Sequence, residues 1–374
     1  MSMRQTGTYV KMGELNSFIP FPLPPSNPPL VLGEQLFVLY GEASFAIGQL
    51  NEMCLRLPDS PRFIKAYIIK EALLSSSIEG IHTTLTEIFT NVLENKVPNK
   101  DTQLVINYTK AVDAALVLLK EEGLPLVSRV LLKTHEVLLS SNNKFDAGNF
   151  RKQAVRVGDL VPPPSTEVPR LIADLEKYMN ENSDLPTLIK AGLVHVQFET
   201  IHPFLDGNGR IGRLLIVLML MHDGLIHSPI LYPSYFFKKH HLEYYSTLDR
   251  VRTHGDYEGW LRYYLKAIKE SALDAYARAK EIENLELKIK ELIQKDKAFL
   301  KAKETSMLAI NYLFSYPITT ISEMAEKIER SYNTVQKILS EFEKHQIVSK
   351  EKSSRNRIYR FDEYIQVLEK EIIL

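Results

Sequence analysis

The sequence predicts a mainly α-helical protein with one short β-hairpin in its middle and a separate unit at its C-terminal end. Three observations carry this reading. Apolar residues recur at three- and four-residue steps over most of the chain from Gly33 onward. One stretch alternates instead: Ala154, Val155, Arg156 and Val157, followed by the turn pair Gly158-Asp159, is a hairpin signal. From about Thr305 the pattern changes to short helices and a basic turn.

Taken in order, the segment Phe18 to Leu30 (FIPFPLPPSNPPL) holds too many prolines for a helix and reads as an extended, polyproline-like strap. Its Phe18, Ile19, Phe21 and Leu23 imply that it lies against the body of the protein. Leu36, Leu39, Tyr40, Ala43 and Ile47 then mark a helix. Pro61 suits the first turn of the next one, where a missing N–H costs nothing, and that helix runs towards SSSIEG. Further helices are expected from Asp101 to Glu122, Ser128 to Leu139 and Val168 to Asn182. A strongly apolar helix should follow Arg210. Another, from Leu273 to Lys303, carries Ile282, Leu285, Ile289, Leu292 and Ile293 as one buried stripe amid many charges. Four segments result: an N-terminal extension (1–100), a core (101–272), a connecting helix (273–304) and a C-terminal unit (305–374).

Composition narrows the function classes. Hydrophobic residues make up 45% and charged residues 25%, as in an ordinary globular protein. Lys plus Arg and Asp plus Glu number 46 each, so no whole-chain field draws the protein to nucleic acid or membrane. The single cysteine, Cys54, leaves no intrachain disulfide and suits a reducing compartment. The N-terminus MSMRQTGTYVKMGEL lacks the apolar run of a signal peptide, and Leu214 to Met221 is far too short for a membrane span. A cytoplasmic location is the expectation.

The stretch that carries chemistry is His202 to Arg213, HPFLDGNGRIGR. Gly207, Asn208 and Gly209 open the apolar helix with a turn whose backbone N–H groups can converge on an anion, aided by the positive end of the helix. Arg210 and Arg213 lie three apart on its first turn, where both could reach phosphate oxygens with forked donors. Asp206 supplies a hard carboxylate oxygen suited to magnesium shared with phosphate and water. A neutral His202 can accept a proton near pH 7. Each part alone is an ordinary turn or helix start. Together they describe attack on a nucleotide phosphate.

These twelve residues match the signature HPFx(D/E)GNGRxxR of the Fic (Fic/Doc) family at every fixed position, and the chain resembles that family. The resemblance implies a Fic-type helical core whose hairpin is the flap that holds the target side chain in register. It also implies a protein adenylyltransferase using ATP and magnesium to modify Tyr, Thr or Ser hydroxyls, its own included. His202 is then the general base and Asp206 the metal ligand. Gly207, Asn208 and Gly209 cradle the phosphates. Arg210 and Arg213 contact the triphosphate, and Ile211 and Gly212 complete the nucleotide-binding stretch. The flap corresponds to Val155, Arg156, Val157 and Gly158. Tyr244 and Tyr245 match positions that line the nucleotide, although core packing accounts for them as well. Arg252 departs from the asparagine of some relatives, and Trp260 reads as core.

Ser75 to Gly80, SSSIEG, is by itself a helix end with a C-capping glycine. It also resembles (S/T)xxxE(G/N), the inhibitory motif of the family in its N-terminal (class II) form, carried here by Ser75, Glu79 and Gly80. The implied contact is a forked salt bridge from Glu79 to Arg213, competing with the ATP γ-phosphate.

The last seventy or so residues resemble a winged helix-turn-helix, with Tyr332 to His345 as recognition helix and Arg355 and Arg357 on the wing. Glu341 and Glu343 beside Lys337 and Lys344 prepare that helix poorly for phosphate. Its expected partner is therefore protein, DNA being the alternative, and a homodimer is a further option. Two other functions compete with adenylylation: a nucleotide-sensing, DNA-binding regulator, and a Fic enzyme with another transfer, such as phosphorylation or AMP removal. The complete motif favours an enzyme, because a sensor needs no His202.

Overall fold

A computed structural model of the chain describes residues 4–56, 60–94, 97–141, 146–350 and 357–370. It is mainly helical, with two small antiparallel sheets.

The first sheet is a hairpin that the sequence reading missed. β1 (Gly7–Met12) pairs with β2 (Leu15–Pro20) in register from Gly7↔Pro20 to Met12↔Leu15, around a turn in which Gly13 takes φ 62°. Almost all of β1 is exposed, so no apolar alternation announces it. The proline-rich strap thus begins as β2 and becomes extended coil only after Pro20. Arg4 pins this end of the chain. It donates to both carboxylate oxygens of Glu258 at 2.8 Å and to the carbonyls of Gly255, Pro28 and Pro29.

α1 (Glu34–Arg56) buries Leu36, Ala43, Ile47 and Leu50 along the later helix α11 (Tyr257–Lys295). α2 (Ser60–Ile78) starts with Pro61 in its first turn. α3 (Leu85–Glu94) was not foreseen, although Thr84 and Glu87 form a reciprocal capping box, each accepting the other's backbone N–H at 3.1 Å. α4 (Lys100–Leu116) is capped by Asn99, whose side chain accepts from Thr102 N at 2.8 Å, and ends in a π-turn at Val117–Glu121. α5 (Ser128–Leu138) and α6 (Val168–Asn180) follow the expected spans closely.

α7 (Thr187–Ile201) and α8 (Asn208–His222) are the central pair. Both are buried almost throughout, so α7 shows no amphipathic stripe in the sequence. α9 (Ser234–Lys239) and α10 (His241–His254) close the core beside α11, where Trp260, Tyr244 and Phe237 pack around His195 and Tyr263 packs on Trp260. Trp260 is fully buried and donates to Gly192 O at 2.7 Å. The helix expected from Leu273 to Lys303 corresponds to the second half of α11, which starts sixteen residues earlier, at Tyr257, runs without a break past residue 272, and ends eight residues sooner, at Lys295, where Asp296 turns the chain into a short 3-10 turn (Lys297–Phe299). The predicted stripe of Ile282, Leu285, Ile289 and Ile293 is buried.

The hairpin expected around residues 154–160 is reduced to its turn. Val157 and Leu160 exchange two backbone hydrogen bonds of 2.9 and 3.0 Å, Gly158 takes φ 57°, and no strand flanks them. The prolines at 162–164 have no N–H to extend a ladder.

The C-terminal end comprises α12 (Lys303–Ser315), β3 (Ile318–Thr320), α13 (Ile321–Lys327), α14 (Tyr332–Lys344), β4 (Ser349–Lys350), β5 (Ile358–Arg360) and α15 (Asp362–Glu369). β5 lies between β3 and β4, antiparallel to both. Thr320 and Ser331 cap α13 and α14, and Val335, Ile338, Leu339 and Phe342 of α14 are buried. Arg355, expected on the wing, falls outside the described residues; Arg357 directly precedes β5. This end packs against α2, α3 and α11 of the body: Lys65 Nζ of α2 lies 4.5 Å from the centre of the Tyr316 ring, Arg360 donates to Thr86 Oγ1 at 3.3 Å, and Lys288 of α11 pairs with Glu363 at 3.5 Å. Among the described residues, no helix is long and apolar enough to cross a membrane.

Candidate active site

α7 stops at Ile201 because His202 turns left-handed, with φ 50°, and Pro203 cannot continue the helix. The imidazole of His202 is thus thrown off the helix end into the site. Its Nδ1 is buried and has no hydrogen-bond partner among the described residues. Burial, helped by the nearby Arg151 guanidinium, pushes the His202 pKa down to about 4, so the ring is neutral at pH 7.

The loop from Pro203 to Gly207 is held from within. Asn208 accepts from Phe204 N at 2.8 Å and donates to Phe204 O at 2.9 Å. This spends the Asn208 side chain on the loop, so among the expected phosphate contacts only its backbone is free. Gly207 takes φ 78°, a conformation that only glycine adopts without strain. Phe204 stacks on His135, ring centres 3.8 Å apart. His135 accepts from Gly148 N through Nδ1 at 3.0 Å, which assigns its proton to Nε2, 3.0 Å from Asp206 O. Burial pushes the His135 pKa to about 4, in keeping with this neutral tautomer.

Asp206 has a partly exposed carboxylate. Its Oδ1 accepts from Gly207 N at 2.7 Å and from Arg210 Nη2 at 3.3 Å. Arg210 is only 2% exposed, and its Nε and Nη1 have no partner among the described residues. A buried guanidinium with open donors at a helix N-terminus is chemically an anion receptor. Beside a receptor for phosphate, one carboxylate is enough to share a magnesium ion with phosphate and water. Among the described residues, no group of three or more His, Cys, Asp or Glu comes together as a protein-only metal cage.

Arg213, 1% exposed, already has its partners. Nε donates to Ser75 Oγ and Nη2 to Ser75 O, both at 2.9 Å, and Nη2 also reaches Glu79 Oε1 at 2.8 Å. The contact with Glu79 is therefore made through one nitrogen and one oxygen, whereas a fork was expected; the adjacent donors are turned to Ser75. Burial alone would raise the Glu79 pKa, but the Arg213 guanidinium, with Arg210 and His202, outweighs it and holds the carboxyl below its usual range. Gly80, with φ 75°, ends α2 directly after Glu79, and Gly80 N and Ile81 N satisfy the carbonyls of Ser77 and Ser76. A Cβ on Gly209 would sit 2.3 Å from Glu79 Oε1 and 2.8 Å from Arg213 Nη1, so glycine there lets Glu79 lie across the first turn of α8.

The other expected positions divide. Ile211 is core, and Gly212 O lies 2.9 Å from His195 Nδ1. Tyr244 is 1% exposed, with its hydroxyl 2.8 Å from His195 Nε2, whereas Tyr245 is 45% exposed, within electrostatic range of Glu79 and Arg213. Only Tyr245 therefore has a face open to a ligand. In the flap, Val155 and Val157 are half-buried and Arg156 is exposed, its Nε donating to Gly158 O at 2.9 Å.

Two residues not singled out in the sequence build the site. Arg151, inside the flap segment GNFRKQAVRVG, donates to His202 O at 2.7 Å, to Pro163 O at 2.6 Å and to Ile201 O at 3.3 Å, while its backbone N bonds Pro203 O. It fixes the base of the flap to the histidine loop. Glu199, one turn before His202, is buried with Oε1 unpartnered among the described residues, and burial pushes its pKa up to about 7. A Cβ on Gly212 would stand 2.3 Å from that oxygen.

The Fic/DOC family model matches residues 125–220, and the Fic/DOC family N-terminal model matches residues 37–117. Protein adenylyltransferase Fic of Drosophila grimshawi is 31% identical over 169 residues, covering 45% of this chain and 32% of that protein. The Drosophila yakuba protein of the same name gives the same figures. The chain thus spans about a third of the length of the curated relatives it matches. Among solved structures, a Fic family protein from Desulfovibrio desulfuricans shares the fold with a TM-score of 0.55 and 23% identity, covering 89% of this chain and 98% of that one. Fic-1 from C. elegans shares it with a TM-score of 0.51 and 21% identity, covering 67% and 74% respectively. Motif, matched domains and fold agree: the chain belongs to the Fic/DOC family.

Proposed function

We propose that the chain transfers AMP from ATP to a Tyr, Thr or Ser hydroxyl of a protein, and that Glu79 restrains this activity. The observation that carries the reading is the buried Arg210 guanidinium with two open donors, beside a neutral imidazole and a partly exposed carboxylate. Leaving such donors unpaired costs on the order of 1–3 kcal/mol or more, which an anionic ligand would offset. The relatives named protein adenylyltransferase support the same chemistry.

Each residue then has a task. His202, neutral at pH 7, accepts the proton of the target hydroxyl as its oxygen attacks the α-phosphorus. The backbone of Gly207, Asn208 and Gly209 and the open donors of Arg210 bind phosphate oxygens. Asp206 would hold magnesium, which when bound neutralises phosphate charge. Arg151 keeps the flap turn at residues 155–158 in register with His202. Tyr245 offers the nucleotide an exposed ring.

Glu79 occupies the cation that the outermost phosphate needs. A charge-assisted bond contributes roughly 1.5–3 kcal/mol. Because the Glu79 side chain is 35% exposed, the lower end applies, about a tenfold restraint. We divide the chain into residues 1–100, 101–272, 273–304 and 305–374, the second and third joined through the unbroken α11. The order α12-β3-α13-α14-β4-β5, with β5 central, supports a winged helix-turn-helix in the last segment. On α14, Lys344 is paired with Glu341 at 2.7 Å, which favours protein over DNA as its partner.

The test is the intact mass of Glu79→Gly after incubation with ATP and magnesium, beside wild type. A gain of AMP units, about tenfold faster than in wild type, is expected. A gain of phosphate would replace the reading with a kinase-like transfer, and equal labelling of the two proteins would remove Glu79 as a restraint. One observation favours a second activity: an ionised Glu79 near His202 also suits water as acceptor, so the same site would remove AMP from a labelled target.

A further inference from the structure

The N-terminal hairpin lies on the flap side of the site. Phe18 N of β2 donates to Val161 O at 2.9 Å and Ser17 Oγ to Pro162 O at 2.5 Å, so β2 runs beside the segment that leaves the flap turn. On β1, Tyr9 is the register partner of Phe18, their rings 5.2 Å apart. The chain just ahead of that strand also touches the last turn of α10. Thr6 Oγ1, just before β1, donates to Arg252 O at 3.2 Å, and the Tyr9 hydroxyl lies within electrostatic range of the Arg252 guanidinium. That guanidinium is in turn felt by both His202 and Glu199. Tyr9 is 64% exposed and sits in extended backbone between Thr8 and Val10. A phenol is thereby presented on an extended strand, one strand removed from the segment that leaves the flap turn. The other exposed tyrosines differ. Tyr332 belongs to α14 at the C-terminal end, and Tyr245 lies near Glu79 and Arg213, where the nucleotide's outer phosphates would sit.

We infer that Tyr9 is an AMP acceptor of the chain itself, carried to its own active site by the β1–β2 hairpin. The inference rests on the adenylyl-transfer reading above. In the step, Tyr9 Oη forms a bond to the α-phosphorus of ATP, the bond from that phosphorus to the bridging oxygen breaks, and pyrophosphate leaves. The phenol proton passes to His202. The product is an O-adenylylated Tyr9 on an exposed hairpin.

Full-length Glu79→Gly, incubated with ATP and magnesium, would be digested and mapped by tandem mass spectrometry, in parallel with Glu79→Gly/Tyr9→Phe. Phenylalanine keeps the ring packing on Phe18 and removes only the nucleophile. The expected result is AMP on the peptide holding Tyr9, and at least a tenfold loss of incorporation in the double variant. AMP found on other residues with Tyr9 bare, or incorporation unchanged by Tyr9→Phe, overturns the inference and leaves the transfer reading standing. No AMP in either protein, with an external hydroxyl-bearing target also unlabelled, defeats the transfer reading and this inference with it.

Discussion

At the scale of single residues, the candidate site was legible because it is written in twelve consecutive positions. His202, Asp206, Arg210 and Arg213 come together where their spacing puts them. What could not be read is what the fold does with neighbouring side chains. Asn208 holds the loop through Phe204, and the remote Arg151 ties the flap to His202 O; both roles need the chain to have folded back on itself. The half-buried setting of His202, with its Nδ1 shut away from solvent, was equally invisible and has a measurable result. A group whose pKa is pushed down to about 4 stays unprotonated well below the pH at which free imidazole titrates. The acid limb of kcat/KM for Glu79→Gly, which also loses the one nearby carboxylate that favours the imidazolium, should therefore fall at about pH 4 or below, measured by AMP incorporation across pH. A limb near 6.5 would mean that the imidazole is solvated in the working enzyme. His202→Ala should abolish transfer while nucleotide binding, followed by calorimetry, changes little.

At the scale of elements, strongly patterned helices such as α1, α5 and α6 were read closely, and α7 was not, because a helix buried on every side carries no stripe. α3 had its signal in Thr84 and Glu87, and β1 had none, being exposed along most of its length. The end of α2 is the element with the clearest energetic test. Ser75, fully buried, gives Arg213 a side-chain and a backbone acceptor. Ser75→Ala removes the first and leaves a buried guanidinium N–H unsatisfied. The expected loss is about 1–3 kcal/mol. It should appear as a lower denaturant midpoint at unchanged m-value, with AMP incorporation also altered because the Arg213 fork is no longer aimed. An unchanged midpoint would show that another acceptor takes over Nε.

At the scale of the whole molecule, two sets of buried groups pull stability in opposite directions with pH. His135, His195 and His202 are pushed down to about 4, 3 and 4, so on acidification the unfolded chain takes up protons near pH 6.5 that the folded one refuses, and stability falls. Glu71 and Glu199 are raised to about 7, chiefly by burial. Between about pH 4.5 and 7 the folded chain holds protons that the unfolded one has lost, so these groups favour acid. Glu71→Gln keeps an acceptor for Ser234 and removes one acid-favouring group, so its thermal midpoint should drop more steeply than wild type from pH 6.5 to 4.5. Parallel curves would mean that Glu71 is already ionised in the fold.

α2 also bears on how the proposed restraint by Glu79 would be lifted. Along its length Tyr67 Oη bonds Ala275 O at 2.8 Å, Lys70 pairs with Asp274 at 3.6 Å, and Lys65 covers the Tyr316 ring. Sliding the helix would break all of these at once. Swinging the half-open Glu79 side chain alone breaks only one contact to Arg213. Lifting the proposed restraint would therefore need only one rotamer change. The two Ser75 contacts of Arg213 do not involve Glu79, so under the proposed restraint the same serine that helps to lock the door would keep the latch aligned once Glu79 swings away.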